Sequence, residues 1–149
     1  DLENCLEDAV SIFEAAMKAI TRRHIAASGV TPDEVEAKLK KVGNAFQNVD
    51  RAGEMLRDIL GISDPPEVPW AELAASFAKR HPITHNLGVV DRKYLERAHS
   101  AEREGCEVRM TVAEVCKTLD HVLAAVSAVH GLLFAANQWE GAASSPLPR

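Results

Sequence analysis

Residues 79–86 form the one dense polar cluster in the middle of this chain, with the sequence Lys-Arg-His-Pro-Ile-Thr-His-Asn. Arg80 and His85 are five positions apart, a spacing that can place both side chains along one edge near a helix end. A histidine titrates near neutral pH and can move protons, and an arginine can hold a phosphate with two hydrogen bonds. The pair is therefore suited to promoting attack of a ribose 2′-hydroxyl on the adjacent phosphate without a metal. His81 and Asn86 are candidates to orient the histidine or the phosphate.

A local excess of positive charge surrounds this pair. The whole chain carries 17 basic and 22 acidic residues, a net charge of −5, which excludes broad electrostatic binding of nucleic acid. The segment from Lys79 to Lys93, however, contains four basic side chains and one acidic side chain, Asp91. This segment can form a small phosphate-binding site, with its two lysines as supporting cations.

Other interpretations compete for the same residues. Arg80 and His85 also fit a helix-end arginine beside a histidine that is hydrogen-bonded in a turn. His81 and His85 have the i,i+4 spacing of zinc ligands, but Pro82 interrupts the helix and no third ligand is evident, so we expect no metal and no cofactor. Tyr94 can either stack on a base or anchor a short helix in the core.

Helices must position the cluster, because apolar residues recur three and four apart and no segment shows sustained period-two alternation. A first helix is predicted up to Gly29. A second helix begins at a capping box, residues 31–34, and extends to Gly61. Two glycines inside it, Gly43 and Gly53, weaken it and allow a bend.

The cluster follows a third helix that opens at Pro69 and is disturbed at Pro82. Residues 85–88 are typical of a turn, and Asp91 suits the cap of a short helix. The last helix starts at a second capping box, residues 111–114, and carries a heptad-like apolar seam that is expected to face the core. The members of this seam are Val112, Val115, Leu119, Val122, Val126, Val129 and Leu133.

The pattern as a whole predicts an all-α antiparallel bundle of four long helices plus a short helix. The length of 149 residues fits one domain, which we assign to residues 1–140, with residues 141–149 as a flexible tail. No apolar run can span a bilayer, no signal pattern is present, and three scattered cysteines indicate reduced thiols. These features favour a cytoplasmic protein without membrane contact.

The run from Arg80 to Leu95 resembles the signature of the HEPN superfamily, a group of small all-α domains named for higher eukaryotes and prokaryotes nucleotide-binding. These domains carry an Arg-x4-6-His motif in which the residue after the arginine is usually Asn, Asp or His, and here it is His81. The stretch that follows His85, and the upstream segment from Phe46 to Ala52, look like a bacterial branch found in defence-related proteins. The resemblance is specific around residues 80–95 and loose elsewhere.

The resemblance implies a metal-independent endoribonuclease that works as a homodimer, with the two motifs meeting across the interface in one composite cleft. Arg80 would bind and polarise the scissile phosphate of RNA, and His85 would act as acid or base, with His81 and Asn86 in support. The expected product is a 2′,3′-cyclic phosphate or its hydrolysed form. Toxin-like or antiviral roles follow by the same resemblance, with an antitoxin or another domain of a longer chain as partner.

One position departs from the pattern of some toxin members, which carry a tyrosine two residues after the motif histidine, where a partner nucleotidyltransferase modifies them. Leu87 occupies that position here, which argues against that mode of control. Many members of the superfamily have lost catalysis, so a non-catalytic module that binds a nucleotide or a protein partner is the alternative. The intact motif favours the enzyme, whereas the low overall basicity favours the module.

Overall fold

The computed structural model describes residues 1–134, and within them every regular element is helical. The helices are α1 (Leu2–Ala27), α2 (Pro32–Val42), α3 (Val49–Asp58), α4 (Trp70–Ala78), α5 (Arg80–His85), α6 (Arg92–Ala98) and α7 (Val112–Phe134), with a 3-10 helix, Ala45–Gln47, between α2 and α3. In this part of the chain no helix is long and apolar enough to cross a membrane. The predicted all-α class is confirmed, whereas the predicted tail, residues 141–149, lies outside the described residues.

Local sequence signals set the starts of three helices. At α2, Thr31 Oγ1 accepts from the Glu34 amide at 3.3 Å, and the Glu34 carboxylate accepts from the Thr31 amide at 2.8 Å. Thr111 and its capping-box glutamate repeat this exchange at α7, with distances of 3.2 and 2.7 Å. Asp91 caps α6 by accepting from the Tyr94 amide at 2.7 Å. All three predicted caps are confirmed, since each satisfies amides that the first turn leaves without an intrahelical partner.

The second predicted helix is interrupted, which corrects the expectation of one continuous helix. Gly43 ends α2 with φ at +52°, in a left-handed region that favours glycine. The 3-10 helix follows, and the Asn48 side chain then caps α3 by accepting from the Arg51 amide at 3.0 Å. Because the chain changes direction here, Asn44, Gln47 and Arg51 all lie along one cleft.

A second break separates α4 from the six-residue helix α5, with Lys79 between them. Pro82 explains the break, because its ring would clash with the carbonyl of Ala78 if α4 continued. In α5 the proline occupies the first turn, where its missing N–H costs no hydrogen bond. α5 ends in the predicted turn, in which the Gly88 amide donates to the Pro82 carbonyl at 2.8 Å.

Helix α1 is the central element of the core. It packs along α7 and also contacts α2, the 3-10 helix and α5. Its buried face includes Phe13 and Met17, and the Phe13 ring meets the Phe77 ring of α4 edge-on, with centroids 5.5 Å apart. A second, smaller apolar cluster around α6 comprises Val90, Tyr94 and Val108. The Phe13–Phe77 contact thus joins α4 to α1 close to the point where α5 begins.

The apolar seam of α7 is only partly buried. Val115, Val122 and Val129 lie in the core, as expected, but Val112 is 65% exposed and Leu119 is 39% exposed. The expectation that the whole seam faces the core is therefore wrong. The physical reason is that a straight helix can turn only one side toward α1 and α4, its neighbours in the fold.

Candidate functional site

Helix α5 brings three of the predicted residues to one cleft. Arg80, His81 and His85 all line a cavity of about 400 Å³, which is within the size range of small-ligand sites. α4 contributes apolar groups to this cavity, among them the ring of Phe77. The other polar lining residues are Asn44, Gln47, Asn48, Asp50, Arg51 and Arg97.

Two neighbours fix the Arg80 guanidinium. Its Nε donates to Glu7 Oε2 at 2.7 Å, and its Nη1 donates to Gln47 Oε1 at 3.1 Å. The second Glu7 oxygen accepts from Thr84 Oγ1 at 2.5 Å, so one carboxylate ties two residues of α5 to α1. Within residues 1–134 the Nη2 atom has no hydrogen-bond partner. Nη2 is therefore free of the contacts that hold Nε and Nη1, and its N–H groups can donate to a phosphate.

A carboxylate orients the Gln47 amide. Glu14 Oε2 accepts from Gln47 Nε2 at 2.8 Å, and Glu14 Oε1 accepts from Lys18 Nζ at 2.6 Å. Burial opposes ionisation of Glu14, but the hydrogen bonds from Lys18 and Gln47 outweigh it and lower the pKa of this carboxyl. An ionised carboxylate can only accept hydrogen bonds, so Gln47 directs its amide nitrogen to Glu14 and its oxygen to Arg80.

The two histidines of α5 lie side by side, with ring centroids 5.4 Å apart. His85 is exposed, and its ring forms no hydrogen bond to any of the described residues. His81 Nε2 lies 3.7 Å from Asp91 Oδ2. Burial, and then the charge of Lys93, lower the pKa of His81 against the opposing effect of Asp91. The lowered pKa favours the neutral form of His81 and so weakens its contact with Asp91 as an ion pair.

Two of the predicted supporting residues are engaged elsewhere in the fold. Lys79 Nζ donates to Glu114 Oε1 at 2.8 Å and so links the start of α5 to the start of α7. The Asn86 side-chain amide donates to the Val89 carbonyl at 2.8 Å and closes the turn after α5. Neither side chain lines the cleft. These contacts differ from the substrate-binding roles expected from the sequence.

Tyr94 occupies the core and offers no face for stacking. It is 2% exposed, and burial, together with the neighbouring Glu102 carboxylate, raises the pKa of its hydroxyl. This position corresponds to the alternative in which the tyrosine anchors a short helix. Lys93, one position earlier, is exposed on α6 and is not among the residues that line the cleft.

Four residues of the site carry no recognisable signal in the sequence. Glu7 and Gln47 are 73 and 33 positions away from Arg80, so no spacing rule connects them with it. Arg51 and Arg97 line the cleft from α3 and α6, but in the sequence each is one charged residue among many. Gln47 and Arg51 do lie in the segment from Phe46 to Ala52, on which the resemblance partly rests, but the resemblance assigns neither residue a role.

The cleft combines an exposed imidazole with a braced arginine, which suits proton transfer next to a phosphate. Residues 1–134 contain no group of three His, Cys, Asp or Glu side chains that could hold a metal ion. The cysteines at positions 5, 106 and 116 are exposed and form no disulfide. No family model, no curated protein and no solved structure matches this chain.

Proposed function

We propose that the chain is a metal-independent endoribonuclease of the HEPN type, with Arg80 and His85 as its catalytic pair. The observation that carries this proposal is that both side chains line one cleft, with Arg80 braced by Glu7 and Gln47 and with His85 exposed. The sequence resemblance of residues 80–95 adds support, since it rests on the same pair. By that resemblance, the proposed setting is prokaryotic defence or toxin-like RNA cleavage.

The proposed reaction is transesterification at a phosphodiester. A neutral His85 imidazole takes the proton from a ribose 2′-hydroxyl, and the 2′-oxygen then attacks the phosphorus. Arg80 offsets the negative charge that develops on the non-bridging oxygens. The bond to the 5′-oxygen breaks, and this oxygen receives a proton from a protonated imidazole. The products are one RNA with a 2′,3′-cyclic phosphate and one RNA with a 5′-hydroxyl.

In this proposal two copies of the chain complete the site. The reaction needs both a proton acceptor and a proton donor, and His85 of one copy supplies one of these groups. The resemblance to the HEPN superfamily implies that two motifs meet in one composite cleft, so a second copy that presents its own α5 supplies the other. In the same proposal, the antiparallel HEPN-like bundle has four helical units. These are α1, α4, α7 and the unit that α2 and α3 form together.

A second candidate function is a non-catalytic module that binds a nucleotide. It is favoured by the ion pair between Arg80 Nε and Glu7 Oε2, at 2.7 Å. This pair neutralises part of the positive charge that a pentacovalent phosphorus would need. The cleft would then hold a nucleotide phosphate without promoting its cleavage.

Cleavage of RNA in the presence of EDTA tests the proposal. The purified protein is incubated with single-stranded RNA of mixed sequence, and the product ends are identified by mass spectrometry. We expect 2′,3′-cyclic phosphate ends, and we expect no cut after a nucleotide that lacks its 2′-hydroxyl. Binding of RNA or nucleotide without cleavage would favour the non-catalytic module.

In the same assay, Glu7→Gln is expected to reduce the rate of cleavage about tenfold or more. Glutamine keeps the size of the side chain but loses the negative charge that holds Arg80 Nε. It also keeps only one of the two oxygens of Glu7 that accept hydrogen bonds from Arg80 and Thr84. Single-turnover rates are compared with those of Glu3→Gln, which makes the same change at an exposed position one turn earlier on α1. Equal rates for the two variants would show that Glu7 does not position Arg80.

A further inference from the structure

Two arginines of the cleft are not used by the proposed reaction. Arg51 lies near the start of α3 and Arg97 near the end of α6, and both line the cavity that holds Arg80. Arg51 Nη1 donates to Asn44 Oδ1, a neutral partner, at 3.2 Å. Within residues 1–134 neither arginine forms an ion pair, so each presents an uncompensated positive charge to the cleft.

Several arginines outside the cleft do have carboxylate partners. These ion pairs are Arg22 with Glu36, Arg57 with Asp64, and Arg92 with Glu96. Arg51 and Arg97 are both exposed, and they line one concave site, in which positive charges add to attract an anion. Asp50, the acidic residue of that lining, can offset only one of the two charges. The lining of the cleft thus holds three arginines and a single carboxylate, and this excess of positive charge favours an anion.

The charge of Arg97 reaches the motif histidines. It adds to the effects of burial and of Lys93 in lowering the pKa of His81, and the His81 ring is 5.4 Å from the ring of His85. Arg80, by contrast, already shares its charge with a carboxylate. The unpaired arginines thus lie close to the proposed reacting centre, but they are separate from the guanidinium that would hold the scissile phosphate.

We propose that Arg51 and Arg97 form a second phosphate subsite, which binds the phosphate next to the scissile one in a single RNA strand. This inference rests on the proposed function and names the substrate feature that the same cleft recognises. Such a subsite would let a protein of net charge −5 bind a negatively charged RNA strand. Three arginines in one cleft hold two linked phosphates, and no extended basic surface is needed.

Binding of uncleavable dinucleotides tests the subsite. The probes are a dinucleotide that lacks the 2′-hydroxyl at its first position, and the same dinucleotide with a terminal phosphate at either its 5′ or its 3′ end. Dissociation constants are measured by NMR titration. We expect a terminal phosphate at one of the two ends to tighten binding about tenfold, since a charge-assisted hydrogen bond contributes at least that much.

The double variant Arg51→Gln/Arg97→Gln is expected to lose this tenfold gain, so that its dissociation constants for the dinucleotide with and without the terminal phosphate become equal. Arg92→Gln is the matched control, because it removes a charge from the same helix, α6, at a position outside the cleft lining. The subsite is refuted if no terminal phosphate improves binding, or if the gain survives in the double variant or is lost equally in Arg92→Gln. Because these probes cannot react, a gain that depends on Arg51 and Arg97 supports the subsite even if the EDTA assay shows no cleavage.

Discussion

Arg80→Gln and His85→Asn are each expected to abolish most of the proposed metal-independent RNA cleavage. Loss of a general base or acid lowers rates by on the order of 10²–10⁴-fold, and loss of one donor to a developing oxyanion costs on the order of 10²–10³-fold. Glutamine and asparagine keep polar groups of similar size at both positions, but they cannot supply a positive charge or a titratable nitrogen. Initial rates on one RNA in EDTA give the comparison.

Two control variants match these substitutions on α6. Arg92 is the first residue of that helix and His99 its C-cap, and both side chains are exposed. Arg92→Gln and His99→Asn make the same chemical changes outside the cleft, and asparagine tolerates the left-handed backbone of His99, where φ is +47°. Both controls should cleave at the wild-type rate. Equal cleavage by the wild type and all four variants would come from a contaminating nuclease and would remove the site assignment.

Phe13→Ala is expected to lower the free energy of unfolding by about 3–5 kcal/mol. The Phe13 side chain is fully buried and packs edge-on against Phe77, so its removal leaves a cavity between α1 and α4. A loss of this size is a large part of the roughly 5–15 kcal/mol that stabilises a typical domain. Urea unfolding followed by circular dichroism measures the difference.

Ile12→Ala is the control for this core substitution. Ile12 is the preceding residue on α1, but its side chain is 54% exposed. Its truncation should change the free energy of unfolding by no more than about 0.5 kcal/mol. If both variants lost the same stability, the Phe13–Phe77 contact would not be part of the folded core.

Local signals made part of this fold predictable. A capping box joins residues three positions apart, so Thr31 with Glu34 and Thr111 with its glutamate could be recognised before any tertiary contact was known. The same is true of Asp91, whose side chain accepts from an amide three residues later. The helical class followed from the 3.6-residue periodicity of apolar positions.

The two glycines of the second predicted helix show where local signals fail. Gly43 adopts a positive φ and ends α2, whereas Gly53 remains inside α3. The difference is tertiary, because a Cβ at position 53 would lie 3.3 Å from Asp64 Oδ2, so this glycine serves close packing. Helix propensity is the same at both positions and cannot distinguish them.

The candidate site was predictable only in its centre. Arg80, His81 and His85 are neighbours in sequence and remain neighbours in the fold. The partners of Arg80 come from α1 and from the break before α3, and they depend on how those elements pack. Tyr94 shows the converse, since its proximity in sequence suggested a binding role and packing assigned it to the core.

The order of the helices along the chain has a consequence for biosynthesis. α1 ends at Ala27, and α7, which packs along it, begins only at Val112. At about 5–20 residues per second, the ribosome needs roughly 4 to 17 s to cover that interval. Arg80 and His85 are made before α7 begins, so for roughly the last 1 to 5 s of this interval the nascent chain contains both residues while α1 still lacks its main packing partner. The packing of α1 along α7 can therefore form only after Arg80 and His85 have been synthesised.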